Sequence, residues 1–282
     1  MQNKQISVII STYNATEWLE KVLWGYQNQI FRDFELVIAD DGSGPETKEL
    51  IDSMTTKVFY PIIHVWQEDD GFQKSKILNK AILACNAPYI VMSDGDCIPR
   101  NDFLQVHDDN KEQGCFISGG YFKLPMNISK AITKEDILSG DCFNKKWLKE
   151  RGLKRSFKNN KLTSKIAKSK FLNKITTTNS TWNGHNSSGW KKDILTVKGF
   201  DERMQYGGQD RELGERLMNL GIKGKQFRYS AICLHLDHNR GYKTKASIDK
   251  NLAIREEVKK QKITETKFGL GQNQYSIEAK YK

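Results

Sequence analysis

A chain of 282 residues with 38% hydrophobic residues, including six Trp, thirteen Phe and ten Tyr, can bury a substantial core and is globular. Its 45 basic and 34 acidic residues give a formal charge of +11, which favours anionic partners: nucleic acid, an anionic membrane surface or phosphorylated small molecules. No run is long enough to cross a bilayer, and Cys85, Cys97, Cys115, Cys142 and Cys233 show no C-x-x-C pair, which excludes a zinc or redox motif of that kind.

The apolar run after Lys4 is too short for a signal-peptide core, so the cysteines read as reduced thiols in a cytoplasmic protein. Short apolar runs at 6–10 (ISVII), 34–39 (FELVIA), 62–66 (IIHVW) and 89–93 (YIVMS) predict strands, and each gap between them holds a helix. The first helix is expected from about Asn14, which with Glu17 resembles a capping box, with Trp18, Leu19, Val22, Leu23 and Tyr26 on one side. The third, about 75–85, carries Ile77, Leu78, Ala81, Ile82 and Cys85 at core spacing. This alternation predicts an α/β fold with a mostly parallel sheet flanked by helices, and a ligand site outside the strands' C-terminal ends. STYN, ADDGS and SDGD then share one edge.

Beyond Gly119 and Gly120 the pattern loosens. Residues 127–180 read as an inserted basic region, with a helix at about 133–150 and a basic run over 149–174, inside one domain spanning 1–240. A helix follows at about 209–220 with Leu213, Leu217 and Leu220 inward, then two strand-like pieces ending in ICLHLDH. Residues 241–282 form a C-terminal helical and basic extension, helical to about 262, with a loose Gly- and Gln-bearing end.

Asp94 and Asp96 flank Gly95, so two hard oxygen ligands converge beyond a strand end, which suits Mg²⁺ or Mn²⁺ bridging a diphosphate. An Asp-Gly turn accounts for the same residues. Asp40 and Asp41 fit acceptors for ribose hydroxyls or a base N–H, or a cap for the next helix. Ser11, Thr12, Tyr13 and Asn14 offer backbone groups and an aromatic face to a nucleobase, or a simple turn. Asp210 sits at the first turn of its helix, where a charge also complements the dipole. Gly207 and Gly208 before it let backbone approach a ligand closely.

Together SVIISTYNATEWLEKVLWGYQNQ, FELVIADDGS, DGFQKSKILNKAI, YIVMSDGDCIPRNDFL and NGHNSSGWKKDILTVKGFDERMQYGGQDRELGERLMNLG resemble a family 2 glycosyltransferase of the GT-A fold, over about 6–120 and 182–240. The last stretch is similar to galactosyltransferase-like and bacterial capsule polymerase domains, in which a GGFDE…GGED pattern carries the acceptor side. The resemblance implies uridine against Thr12, Tyr13 and Asp40, with Asn14 and Asp41 close by, Asp94 near the ribose or donor sugar, and Asp96 on the metal. It implies Asn79 and Lys76, or Lys74, near the donor, and Asp210 as general base. Gln209 stands where most relatives have Glu. It implies His235 or His238 as a third metal ligand, a nitrogen donor that suits Mn²⁺ better than Mg²⁺. Trp190 and Trp182 fit stacking on a pyranose, or ordinary core packing.

The expected activity is metal-dependent, inverting transfer of a hexose or N-acetylhexosamine from a UDP-sugar to a glycan or lipid-linked acceptor in bacterial surface polysaccharide synthesis. LTSKIAKSKFLNKI (162–175) sets Leu162, Ile166, Phe171 and Ile175 among lysines, which fits either a solvated face or an interfacial helix on the inner, anionic face of the cell membrane. A nucleotidyltransferase would carry a Gly-rich basic loop where STYNATEW stands. A non-catalytic nucleic-acid binder would interleave aromatics with its basic runs, and no nucleic-acid partner is expected.

Overall fold

The four apolar runs become adjacent parallel strands in a computed structural model that describes residues 4–163, 165–238 and 244–271. The elements begin β1 (Ile6–Thr12), α1 (Thr16–Gln27), β2 (Phe34–Asp40), α2 (Pro45–Thr55), β3 (Ile62–Trp66), α3 (Lys74–Ala84), β4 (Tyr89–Asp94), β5 (Cys97–Pro99), α4 (Phe103–Asn110) and β6 (Cys115–Lys123). They continue α5 (Met126–Ala131), α6 (Lys134–Ser139), α7 (Lys145–Glu150), α8 (Ile166–Ile175), β7 (Asn186–Trp190), α9 (Lys191–Thr196), α10 (Gln209–Asn219), β8 (Lys223–His235) and α11 (Lys245–Gln261). The strand order is β3-β2-β1-β4-β7-β6-β8-β5. β7 runs antiparallel to both β4 and β6, and β5 antiparallel to β8; the other pairings are parallel.

Alternation along each strand sorts its side chains onto two faces. Val8, Ile10, Leu36, Ile38 and Val91 pack with Leu19, Val22, Leu23 and Tyr26 of α1, while Ile9, Val37, Ile90 and Met92 pack with Ile77, Leu78, Ala81 and Ile82 of α3. The 127–180 region adds Ile128, Ile132, Ile137, Cys142, Leu148 and Leu162 to the α1 face, so it completes that core. Among the described residues, no helix is long and apolar enough to cross a membrane.

Several expected boundaries shift for identifiable reasons. Asn14 does not cap α1: it has φ +45° and its Oδ1 accepts from Gly44 N, so the helix starts two residues later, after Ala15, without a side-chain cap. The helix expected over 133–150 breaks where Gly140 takes a left-handed conformation, φ +80°, which separates α6 from α7. The two strand-like pieces before His235 are one strand, β8, whose register against β6 shifts between Gly119 and Gly120. Leu220 caps the end of α10 and is 39% exposed, not inward.

The C-terminal segment is integrated with the domain where it is described. Ile254 and Val258 of α11 pack on Met204, and Asn251 Nδ2 donates to the carbonyls of Gln205 and Gly207, both at 3.0 Å. The expected Gly- and Gln-bearing end falls largely on 272–282, outside the described residues, as do 239–243.

Candidate active site

The C-terminal ends of β1, β2 and β4 open onto one cleft of about 1260 Å³, which is also lined from α3, α10 and α11. Thr12, Tyr13, Asn14, Asp41, Asp94, Asp96, Gly207, Gly208, Gln209, Asp210, His235 and His238 all line it. Backbone approaches Gly95 closely: a Cβ there would stand 3.0 Å from the Ser11 carbonyl, which accepts from Gly95 N at 2.8 Å.

The two aspartates around Gly95 have different partners. Asp94 Oδ1 accepts from Ser11 Oγ and from Lys74 Nζ, each at 2.7 Å. Burial opposes ionisation of Asp94, but the Lys74 ammonium outweighs it and holds the carboxyl well below the usual range. Burial likewise opposes the Lys74 charge, and Asp94 outweighs it in turn, so the pair stays charged. Asp96 faces the histidines instead: its Oδ2 lies 3.0 Å from His238 Nε2 and 3.7 Å from His235 Nε2. The backbone brings them together, because β5 pairs Cys97 with His235 and Leu236 N donates to the Asp96 carbonyl at 2.8 Å.

This cluster fits a divalent cation. One ligand atom from each of Asp96, His235 and His238 lies within 4.8 Å of the others. His235 Nδ1 lies 2.7 Å from the Leu236 carbonyl, a contact that requires the proton on Nδ1, so Nε2, which faces Asp96, is the nitrogen that would hold a cation. One carboxylate and two imidazoles suit Mn²⁺ better than Mg²⁺. Cys97 is close to Asp96, but burial pushes its thiol well up, so it stays protonated and is a poor ligand.

Asp41 is held by Gln67 Nε2 at 2.6 Å and Gln73 N at 3.0 Å, yet burial dominates and pushes its carboxyl up to about 6. Tyr13 donates its hydroxyl to Asp69 at 2.9 Å, which raises the phenol and steadies the ring at the mouth.

Asp210 is the second residue of α10, which follows two glycines in left-handed conformations, Gly207 (φ +115°) and Gly208 (φ +88°). Its Oδ2 accepts from Gly184 N at 3.0 Å and its Oδ1 from Arg211 N at 2.8 Å, so both oxygens are oriented while each keeps acceptor capacity. Gln209 is buried, with Oε1 accepting from Gly207 N at 3.1 Å, and so braces the turn.

Five candidates lie elsewhere. Lys76 does not line the cleft; Lys74, two residues earlier and about 200° away around the helix, does. Asn79 is fully buried and binds Phe200 and Glu202, joining α3 to the loop after α9. Asp40 is turned into the fold, where Ser43 N and His64 Nε2 each lie 2.9 Å from its oxygens. Trp190 donates to the Glu112 carbonyl at 2.9 Å and packs edge-on against Tyr89, away from the cleft. Trp182 is fully buried against Phe116.

Sequence reasoning missed His185, which lines the cleft edge-on to Tyr121 at 4.6 Å. Burial lowers its pKa against the opposing pull of Asp94 and Asp210. It also missed Arg255, whose guanidinium pairs with Glu215 at 2.6 Å beside Gly208. The one available signal was the polar NGHN stretch, whose place at the edge follows only from the antiparallel direction of β7.

Fold and cleft define an α/β protein whose ligand site combines a candidate cation cluster with an oriented carboxylate. Residues 7–129 match the family described as Glycosyl transferase family 2. Over 210 residues, 73% of this chain and 57% of the relative, the sequence is 25% identical to the GalNAc(5)-diNAcBac-PP-undecaprenol beta-1,3-glucosyltransferase of Campylobacter jejuni. The structure of S. aureus TarS 1-349 in complex with UDP-GlcNAc is similar with a TM-score of 0.58 at 14% identity, covering 84% of this chain and 60% of that one. Mannosyltransferase PcManGT from Pyrobaculum calidifontis, in complex with GDP-Man and Mn²⁺, gives 0.55 at 16% identity, covering 86% and 59%. The family match covers under half of this chain, which shares the GT-A fold with these glycosyltransferase structures and spans under two thirds of the length of these proteins.

Proposed function

We propose that this protein is a metal-dependent, inverting glycosyltransferase that moves a hexose or N-acetylhexosamine from a UDP-sugar to a hydroxyl of a glycan or lipid-linked acceptor in surface polysaccharide synthesis. Its main support is that one cleft holds both the Asp96, His235 and His238 cluster and the oriented carboxylate of Asp210. The similar structures hold UDP-GlcNAc, or GDP-Man with Mn²⁺, and the Campylobacter relative is named for glucosyl transfer to GalNAc(5)-diNAcBac-PP-undecaprenol. The five cysteines are buried thiols, in keeping with a cytoplasmic setting.

Thr12, Tyr13 and Asn14 with Asp41 receive the nucleoside, and Asp94, fixed by Ser11 and Lys74, accepts from ribose or sugar hydroxyls. Asp96, His235 and His238 would hold Mn²⁺ or Mg²⁺, which supplies Lewis-acid stabilisation of charge on the departing diphosphate. Asp210 takes the proton of the acceptor hydroxyl. The acceptor oxygen bonds to the anomeric carbon as the bond to the diphosphate oxygen breaks, the electron pair leaves with UDP, and the configuration inverts through an oxocarbenium-like state. Because Gln209 is neutral, no like charge adjoins the base from that position.

The test is release of UDP from a panel of UDP-glucose, UDP-galactose and their N-acetyl forms, by slow hydrolysis in which water stands in for the acceptor hydroxyl, with and without Mn²⁺, in wild type and Asp210→Asn. Mn²⁺-dependent release of UDP from one donor, lost in Asp210→Asn, is the expected result. Equal release in the variant would remove Asp210 from the chemistry, and no release from any donor would count against the whole assignment.

A further inference from the structure

Between Arg151 and Lys192 the chain contains no Asp or Glu, and α8 lies within this stretch. The helix has a defined inner side. Leu172 is buried, Asn173 Nδ2 donates to Ser230 Oγ at 2.8 Å, and Asn173 Oδ1 accepts from Tyr229 N at 2.9 Å, which seats α8 on β8. Phe171 and Ile175, one turn apart, remain 60% and 55% exposed, and Ile166 and Phe157 nearby are 70% and 74% exposed. Lys168, Lys170 and Lys174 are exposed around the same helix.

We propose that α8 docks this protein on an anionic phospholipid bilayer, with Phe171 and Ile175 entering the interface and Lys168, Lys170 and Lys174 meeting headgroup phosphates. A helix that shows large apolar side chains and an unbroken set of cations to solvent matches the chemistry of such a surface. Charge argues against a second copy of this chain as occupant, since two lysine-rich faces would repel. A nucleic acid would use the lysines but would leave the aliphatic Ile175 without a role.

A short chain of contacts links this basic region to the cleft. In the 3-10 turn at Phe157–Leu162, Lys161 Nζ donates to the Tyr121 carbonyl at 2.9 Å, and the Tyr121 ring packs against His185 and His235 at 4.6 and 5.8 Å. Docking through α8 would therefore hold the cleft near the headgroup layer. The proposal goes beyond the transfer reaction, and its test needs no nucleotide.

The test is flotation of the full chain with vesicles of phosphatidylglycerol mixed with phosphatidylcholine, and with phosphatidylcholine alone, at low salt. Flotation with the anionic vesicles only is expected. Phe171→Ser with Ile175→Ser should lower partition about tenfold, and Lys168→Gln, Lys170→Gln and Lys174→Gln together on the order of a hundredfold. All five side chains are exposed, and unchanged melting temperatures would show that the fold survives; should the first variant unfold, the lysine variant carries the same decision. The proposal is overturned by no flotation with either vesicle, by equal flotation with both, or by flotation with anionic vesicles that neither variant reduces. Salt-labile retention on an immobilised polyanion without flotation would likewise overturn it and favour a polyanion binder.

Discussion

The two sides of the cleft use carboxylates in opposite ways. Beside β4, Asp94 is held by a hydroxyl and an ammonium, and Asp96 is gathered with two imidazoles. At the start of α10, Asp210 is oriented by two backbone amides. A carboxylate locked to a cation is a poor proton acceptor, whereas one steered by amides, with acceptor capacity left on each oxygen, has a defined direction toward an incoming hydroxyl. The first side suits holding an anion-bearing donor, and the second suits taking a proton.

This contrast is sharpest in the Asp210→Asn variant. Turnover should fall by about 10²- to 10⁴-fold while UDP affinity stays unchanged, because general-base catalysis is lost without disturbing the nucleotide end. Single-turnover kinetics beside a UDP titration check both halves. Next in size, Lys74→Met leaves Asp94 without its ammonium and should cost about 3 kcal/mol of stability. A carboxylate held below its ordinary range adds stability that is present above about pH 4 and fades as pH falls below it. The melting difference between wild type and Lys74→Met should therefore shrink in acid.

Asp41 has the opposite sign. Its carboxyl is raised to about 6, so the folded protein keeps a proton that the unfolded chain has lost, and stability falls as pH rises from about 4 to about 6. Asp41→Asn removes that penalty. The unfolding free energy of the variant relative to wild type, from denaturant titrations, should be more favourable at about pH 7.5 than at about pH 4.5, by up to roughly 2 kcal/mol. The smallest effect belongs to Trp190→Phe, which loses the hydrogen bond to Glu112 outside the cleft; about 1 kcal/mol of stability and no change in turnover are expected.

The parallel half of the sheet was legible because buried parallel strands are near-continuous apolar runs, and the polar clusters after them had to share an edge. Side-chain direction was less legible. Lys74 and Lys76 are chemically equivalent in sequence, and only the start of α3 decides which one meets Asp94. Trp182 and Trp190 illustrate another limit, since a tryptophan that stacks on a sugar and one that fills a core have the same composition signal. His185 was hidden for a topological reason: β7 runs against β4, so its first residues return to the cleft edge, and nothing local announces that reversal. The basic region hid its inner side in the same way, with Leu162 turned into the core and Phe171 left outside.

The most direct measurement is calorimetric titration of UDP into wild type and Asp96→Ala, each with and without Mn²⁺. A cation held by Asp96, His235 and His238 against the diphosphate predicts that Mn²⁺ strengthens wild-type binding about tenfold or more, at least 1.4 kcal/mol, and leaves Asp96→Ala unaffected. UDP binding that is indifferent to Mn²⁺ in the wild type, or a Mn²⁺ response that survives Asp96→Ala, would contradict it.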